Sequence, residues 1–475
     1  MLITSLLPIL GGALLPVLRF RSRRVRTAYV MGVTSLTSLL ALGLILRGAA
    51  DAAPVALSDA FRMTFGLDGM GKVFLGLMAF LWPLAALYAS EYMEHEEREN
   101  TFFAFYTMTY GVMVLFCCAR NIFSLYVVYE CITMVTLPLV WHKKDRPSVR
   151  AARSYIRYSI GSAAFAFSAM IVLSIYGSGD FTLGGIALNG MGKLMRNLTF
   201  LAAFFGFGVK AAVFPLHIWL PRASAAPTPV TALLHAVAVV NAGVFSVLRM
   251  VYYVFGPEGL AGTWAQSVAL AASAVTIAFG AVMAVRDTHV KRKLAWSTVS
   301  NLGYMLLGAS LMCESGLHGA LMHMVCHGLM KMGLFSCIGA VMVKTGRTQV
   351  WEMRGLARRM PATFGFFVFG AVALMGIPPL CGFVSKFHLA TATVALGGAW
   401  AWIGVGALLL STVLTAVYQL SVLLPAFFLP PEGEAKRCDP GWRMLVPLAV
   451  LAAAVLLIGV RPQPLADALR AVAGM

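Results

Sequence analysis

The sequence predicts an all-α polytopic membrane protein with about fourteen transmembrane helices, and three observations carry that reading. First, 60% of its 475 residues are hydrophobic and only 12% are charged, where a soluble domain carries about 25% charge. Second, the apolar residues are gathered into long runs, many near the roughly 20 residues a helix needs to cross a hydrocarbon core. Third, Lys and Arg are abundant in alternate connecting loops and sparse in the others. A water-soluble fold is excluded, and almost nothing is left for a separate soluble domain.

Apolar runs and their breaks place spans near 2–18, 28–48, 70–90, 101–119, 121–141, 154–176, 197–216, 229–254, 264–285, 294–312, 317–343, 362–391, 398–428 and 443–461. The first is expected to be retained and not cleaved as a signal peptide, because Arg19, Arg21, Arg23, Arg24 and Arg26 follow the apolar run. No Gly/Ser linker divides the chain, so it reads as one membrane domain. The eight cysteines form no CxxC pattern and read as buried thiols, not metal ligands or disulfides.

A net charge of +18 would suggest nucleic acid in a soluble protein; here it marks the loops facing the cytoplasm. Loops after odd-numbered spans carry Arg19 to Arg26, then Lys143, Lys144, Arg146, Arg150 and Arg153, and then Arg286, Lys291, Arg292 and Lys293. The later ones carry Lys344, Arg347, Arg354, Arg358 and Arg359, and finally Lys436 and Arg437. Loops after even-numbered spans hold chiefly Arg62, Arg120, Lys193 and Arg196. The expected location is therefore the inner (cytoplasmic) membrane with both termini outside the cytoplasm. Residues 91–99 depart from the pattern, with Glu91, Glu94, Glu96, Glu97 and Glu99 against Arg98; acidic residues weigh little in setting orientation.

Two spans are interrupted. GFGVKAAVFPLHIWLP (206–221) has Pro215 and Pro221 after Lys210, and GIPPLCGFVSKF (376–387) has Pro378, Pro379 and Gly382 before Lys386. Proline removes a backbone donor, and lipid cannot satisfy the freed carbonyls, so such breaks belong beside protein or a water-filled cavity. The broken spans are the seventh and the twelfth. Segments four to eight and nine to thirteen then read as two halves of a repeat, the arrangement that points to a transport pathway; proline kinks packed against neighbours are the plainer alternative.

A charge at the bilayer centre costs at least ~2.5–3.5 kcal/mol and persists only with a partner, water or a use. Glu130 lies about 15 Å of helix from either end of its apolar run; a carboxyl bonded to Thr133 or Thr136 is the structural alternative. Lys210 and Lys386 each adjoin a break, and whether a buried lysine carries its proton is set by its neighbours. Snorkelling to the interface is the competing reading for both. His323, His327 and Lys331 are spaced i, i+4 and i+8, each turned about 40° from the last, so they line one helical face. A hydrated chain of titratable groups, a satisfied structural cluster, a metal site and a haem ligand all fit that spacing; a metal would need ligands beyond the nearby Cys326. His235 both donates and accepts, which suits a relay and equally suits helix packing. Asn241, Ser297, Ser300 and Tyr304 are placed to hold water or to bond helices together.

The Glu-bearing fifth span, VKAAVFPLHIWLPRASAAPTPVTALLHA (209–236), KRKLAWSTVSNLGYMLLG (291–308), HMVCHGLMKMGLF (323–335) and GIPPLCGFVSKF resemble the proton-antiporter-like membrane subunits. That family serves respiratory complex I, energy-converting hydrogenases and Mrp sodium/proton antiporters. The resemblance spans roughly residues 100–390 and implies two inverted five-helix repeats (101–255 and 256–430), each with a discontinuous helix. Three helices (1–100) precede them and one (431–475) follows. It further implies Glu130 as the modulating carboxylate, Lys210 as its pumping partner, His235 as part of the bridge, and His323, His327 and Lys331 as the central polar axis. Lys386 is implied as the outlet, where some members carry Glu. The chain departs from the pattern at Asn241, where many members have Lys, and no long lateral amphipathic helix is expected after the fourteenth span.

The expected function is translocation of H⁺, with Na⁺ as the alternative, within a larger membrane complex whose other membrane subunits and lipid bilayer are its partners. No GxxxxGK[ST] loop or iron–sulfur cysteine cluster is visible, so no cofactor or metal is expected and a partner must supply the energy. A haem- or quinone-binding redox subunit and a structural subunit without transport are the rival readings.

Overall fold

The computed structural model describes residues 1–47, 54–56, 62–177, 179–431 and 436–475. Helix dominates. The N-terminal part contains α1 (Leu2–Leu14), α2 (Arg23–Arg47) and α3 (Gly69–Tyr92). Next come α4 (Glu99–Cys117), α5 (Ile122–Val140), α6 (Arg146–Tyr176), α7 (Lys193–Gly208), α8 (Trp219–Ala223), α9 (Thr228–Ala236) and α10 (Val239–Arg249), which a π-helical turn extends to Phe255. The remainder is α11 (Pro257–Leu260), α12 (Trp264–Arg286), α13 (Val290–Ser310), α14 (Glu314–Thr345), α15 (Leu356–Arg359), α16 (Pro361–Met375), α17 (Cys381–Ala395), α18 (Gly398–Phe428), α19 (Trp442–Val460) and α20 (Gln463–Ala473). Each expected span contains helix, and ten helices among the described residues are long and apolar enough to cross a membrane.

The differences from expectation have local causes. Helix α6 begins eight residues before the expected 154 because the Asp145 side chain caps it, accepting from the Ser148 N–H at 2.8 Å. The expected eighth span is two helices, α9 and α10, joined by a kink at Val237 and Ala238. The expected single C-terminal helix is followed by α20, which starts at Gln463 behind Pro462 and buries Ala466, Leu469 and Ala473 against α3 and α14. A two-stranded antiparallel pair, β1 (Val55–Ala56) and β2 (Arg62–Met63), precedes α3. The expected end of the second span, residue 48, lies outside the described residues.

Helix α14 is the hub: it packs on α3, α9, α13, α16, α17, α19 and α20, and the 94% burial of its apolar window leaves it almost no contact with lipid. At one end of the bundle the acidic loop 91–99 ties the basic loops together. Arg23 and Arg26 pair with Glu99, Lys143 with Glu96, and Arg443 with Glu94. In addition, Glu91 accepts from the Gly441 N–H at 2.6 Å. This is the physical place of the loop that departs from the charge pattern: its carboxylates lie among the arginines and lysines of its neighbours.

The opposite end is laced by main-chain bonds and by one buried ion pair that the sequence reading did not find. The fully buried Arg249 guanidinium grips both oxygens of Asp68 among the rings of Phe181, Phe245 and Tyr253. Asp68 in turn caps α3 through the Gly71 N–H. Burial alone would raise the Asp68 carboxyl; the Arg249 guanidinium and the Gly71 N–H outweigh it and hold it below its ordinary 3.8.

Breaking a buried pair by removing one partner costs about 3–5 kcal/mol. Asp68→Asn is therefore expected to lower the melting temperature in detergent sharply, and Arg249→Met to do the same by stranding Asp68. Because the folded value is depressed, the pair's contribution is complete above the unfolded value of 3.8 and is lost as pH falls below it. A thermal-melt series on wild type and Asp68→Asn should converge on acidification.

Candidate functional site

The two broken segments are built alike. After α7 the chain unwinds through Val209–Ile218 before α8, and after α16 it unwinds through Gly376–Leu380 before α17. Each break is held by a close backbone approach that only glycine permits. A Cβ on Gly243 of α10 would lie 2.2 Å from the Ala211 nitrogen, and one on Gly382 of α17 would lie 1.8 Å from the Ala373 oxygen.

Lys210 lies in the first break, fully buried, with its ammonium over the Tyr129 ring at 3.4 Å and donating to the Tyr129 carbonyl. Glu130 is the next residue along α5 and is half-buried; its Oε1 is buried without a partner. The two interact electrostatically, but no ion pair within 4 Å joins them.

In the second half a strip of polar and titratable side chains runs through the bundle. Lys386 of α17 reaches back to the last carbonyls of α16, donating to Leu374 at 2.8 Å and Met375 at 3.1 Å, and to the Thr412 hydroxyl at 3.4 Å. Its ammonium stands 5.7 Å from the ring of Tyr304, which stacks on His323 at 5.1 Å. His323 is held at both ring nitrogens, Nδ1 to the Ser385 hydroxyl at 3.0 Å and Nε2 to the Asn301 Oδ1 at 3.2 Å. His327 follows 6.0 Å away, with neither nitrogen bonded. Lys331 closes the strip, donating to the Ser297 hydroxyl and the Leu294 carbonyl. All three α14 residues are 0% exposed.

His235, at the last turn of α9, lies against Phe335 of α14 at 4.8 Å and leaves both nitrogens unbonded. It is close enough to His327 and Lys331 to interact with both electrostatically. Asn241 spans the α9–α10 kink, its amide donating to the Ala236 carbonyl at 2.9 Å. Ser300 bonds the Ile277 carbonyl and the Ser411 hydroxyl, both at 2.8 Å, tying α12, α13 and α18 together.

Glu130 with Lys210 thus forms one group and Lys386 to Lys331 another, with His235 beside the second. No hydrogen bond joins Lys210 to His235 among the described residues. The sequence reading missed Asn301 and Ser385, the two groups that hold His323. Asn301 had a legible signal: Ser297, Asn301 and Tyr304 stand at i, i+4 and i+7, one face of α13. Among the described residues no group of three or more His, Cys, Asp or Glu is arranged to hold a metal.

Comparison with known proteins gives this geometry its family. Residues 119–415 match the family described as "NADH:quinone oxidoreductase/Mrp antiporter, TM", more than half of the chain. The chain belongs to this family. It is 33% identical over 413 residues to NADH-quinone oxidoreductase subunit N of Desulforudis audaxviator, covering 83% of this chain and 81% of that one. It is 32% identical over 391 residues to NADH-quinone oxidoreductase subunit L of Mycobacterium tuberculosis, covering 81% of this chain but 60% of the relative. Its fold matches a chain of the membrane-bound sulfane sulfur reductase, an archaeal respiratory membrane complex, with a TM-score of 0.87 at 24% identity over 99% of this chain and 96% of that one. The family stretch encloses both breaks and every residue of the polar strip.

The glycine contacts at the breaks are directly testable. Gly243→Ala and Gly382→Ala must each displace backbone, an overpacking cost of about 1–3 kcal/mol. Gly32→Ala on α2, where an added Cβ meets nothing within 4 Å, is expected to leave stability unchanged or slightly raised. Thermal unfolding in detergent should separate the first two variants from the third.

Proposed function

We propose that the chain carries protons, with Na⁺ as the alternative ion, as the antiporter-like subunit of a larger ion-translocating membrane complex. The observation that carries this reading is the buried strip Lys386–Tyr304–His323–His327–Lys331, which links a helix break to the middle of α14 through groups that can bind and release a proton. A purely structural cluster would gain nothing from leaving His327 and His235 without partners, since an unmade buried bond costs about 1–3 kcal/mol. Hydration of those nitrogens would make the strip continuous.

In this mechanism, charge arriving near Glu130 alters the protonation of Lys210. The proton passes by way of His235 and water to the His323/His327/Lys331 region and leaves past Lys386. Two charges ~7 Å apart at an effective dielectric of ~20 interact by about 2.4 kcal/mol, enough to switch the lysine when Glu130 is drawn away from it. Asn241 carries no proton, so the bridging step rests on His235 and ordered water. Moving one charge against the membrane potential costs about 2.3 kcal/mol per 100 mV, which a partner subunit or a second ion gradient must supply.

The same reading takes the chain as fourteen spans with inverted repeats at 101–255 and 256–430, flanked by three helices in 1–100 and one span in 431–475. Support comes from corresponding packing: α4 with α5 and α12 with α13, α5 with α6 and α13 with α14, and α6 with α7 and α14 with α16. It also takes the protein to lie in the inner membrane with both termini outside the cytoplasm. The meeting of the arginine- and lysine-rich loops at one end of the bundle supports that orientation, as does the contact of Val472 with Gly69 at the other end.

In inverted vesicles holding the assembled complex, Glu130→Gln and Lys210→Ala are each expected to cut proton transport at least about tenfold, a loss of ~1.4 kcal/mol or more in barrier terms. Subunit composition should be unchanged. Undiminished transport with normal assembly would make the chain a structural subunit.

A further inference from the structure

A cleft of about 1290 Å³ opens between α6, the first helix break and the adjoining ends of α12 and α13. It lies on the basic end of the bundle, apart from the polar strip. Six cations and two carboxylates line it, and the carboxylates are already engaged: Asp145 caps α6 and Asp287 pairs with Arg292. Lys143 is paired with Glu96. The other four, Arg150, Arg153, Arg157 and Arg222, have no carboxylate within 4 Å among the described residues. Among the described residues Arg222 donates only to the Ser154 hydroxyl, at 3.3 Å, and Arg150 to the Arg146 carbonyl, at 3.4 Å.

A second, independent feature belongs to the same cleft. His217, which lines it, is 3% exposed, and neither of its ring nitrogens has a partner. Its ring is held between Phe214, Phe279 and Trp296 at 5.4, 4.9 and 5.7 Å. The cleft thus offers unpaired guanidinium groups above an aromatic floor that carries one unsatisfied buried imidazole.

The geometry points to a binding site for the phosphate headgroup of an anionic membrane lipid, with the arginines of α6 and Arg222 on the phosphate and the aromatic floor under the glycerol and upper chains. Guanidinium groups match phosphate oxygens two at a time, and basic pockets between membrane helices are suited to such headgroups. The helix itself selects lipid over free phosphate. Arg150, Arg153 and Arg157 stand at i, i+3 and i+7, and the same face continues within one turn to Ile160, 59% exposed, and two turns further to Phe167, 46% exposed. A cationic stripe that runs straight into a lipid-exposed apolar stripe matches an amphiphile along its length, whereas inorganic phosphate would use only the first half. This inference stands independently of ion transport.

The test uses the full chain in its complex, delipidated in detergent and re-exposed to phosphatidylglycerol or phosphatidylcholine, with native mass spectrometry as readout. Wild type is expected to retain phosphatidylglycerol about tenfold over phosphatidylcholine, and the triple variant Arg153→Gln/Arg157→Gln/Arg222→Gln to lose that preference with unchanged subunit composition. Photo-crosslinking of wild type with a phosphatidic acid probe needs no variant and should label residues 150–158 or 217–222. Equal retention of the two lipids, or labelling elsewhere only, overturns the proposal. So does displacement of the lipid by millimolar inorganic phosphate, which would make this a free-phosphate site, or an acidic partner segment found filling the cleft in the assembled complex.

Discussion

An ammonium group placed inside a hydrocarbon layer must find oxygen, and in this protein the oxygen is supplied by the main chain. Lys210 donates to Tyr129, Lys331 to Leu294, and Lys386 to Leu374 and Met375, and at the basic end of the bundle Lys291 donates to Ala226 and Lys293 to Ala284, in each case a backbone carbonyl. No carboxylate lies within 4 Å of any of these five among the described residues. A helix-interior carbonyl is already used four residues on and offers only its second lone pair, as Tyr129 of α5 and Leu294 of α13 do; a helix end or a break has several unused carbonyls. The prolines that interrupt the seventh and twelfth segments therefore do more than bend the chain. At Lys386 the break exposes the last carbonyls of α16, the negative end of that helix, to a cation that the next half-helix carries.

In the proposed mechanism, holding lysines on carbonyls instead of carboxylates is what would keep them switchable. A direct ion pair would fix the charge, whereas a carbonyl shell solvates the ammonium without demanding that it stay charged. Glu130 and Lys210 fit the same proposal: the two interact electrostatically without an ion pair, and the lysine's hydrogen bond goes to the Tyr129 carbonyl. His323 is held at both nitrogens by Ser385 and Asn301, whereas His327 in the strip and His235 beside it have no hydrogen-bond partner among the described residues.

What the sequence disclosed followed from constraints that act locally. Hydropathy marked the helical segments, proline and glycine marked the breaks, and the i, i+4, i+8 spacing marked the face of α14, because each of these is written within a few turns of chain. The Asp68–Arg249 pair escaped because its halves are 181 residues apart and neither is unusual where it stands, one before a helix and one near the end of another. Asn301 shares the face of Ser297 and Tyr304, a local signal, but its role as the partner of His323 depends on which helix that face meets. The acidic loop was legible as an exception to the charge pattern, but its role depends on which loops meet, and that is a property of the bundle. The one-residue-per-break glycines, Gly243 and Gly382, were visible as letters and not as contacts.

The two ends of the bundle are fastened by different physics. One end is sewn by ion pairs that solvent reaches, with Arg23 58% exposed and the Arg443–Glu94 pair nearly a third exposed on each side; the other closes on a guanidinium that solvent does not touch. Dissolved electrolyte weakens the first kind far more than the second, with a Debye length of about 8 Å at physiological ionic strength and about 3 Å at 1 M. Concentrated salt should therefore slacken the arginine-rich rim while the far rim stays shut, so that the bundle loosens from one side like a sheaf whose lower cord has been cut.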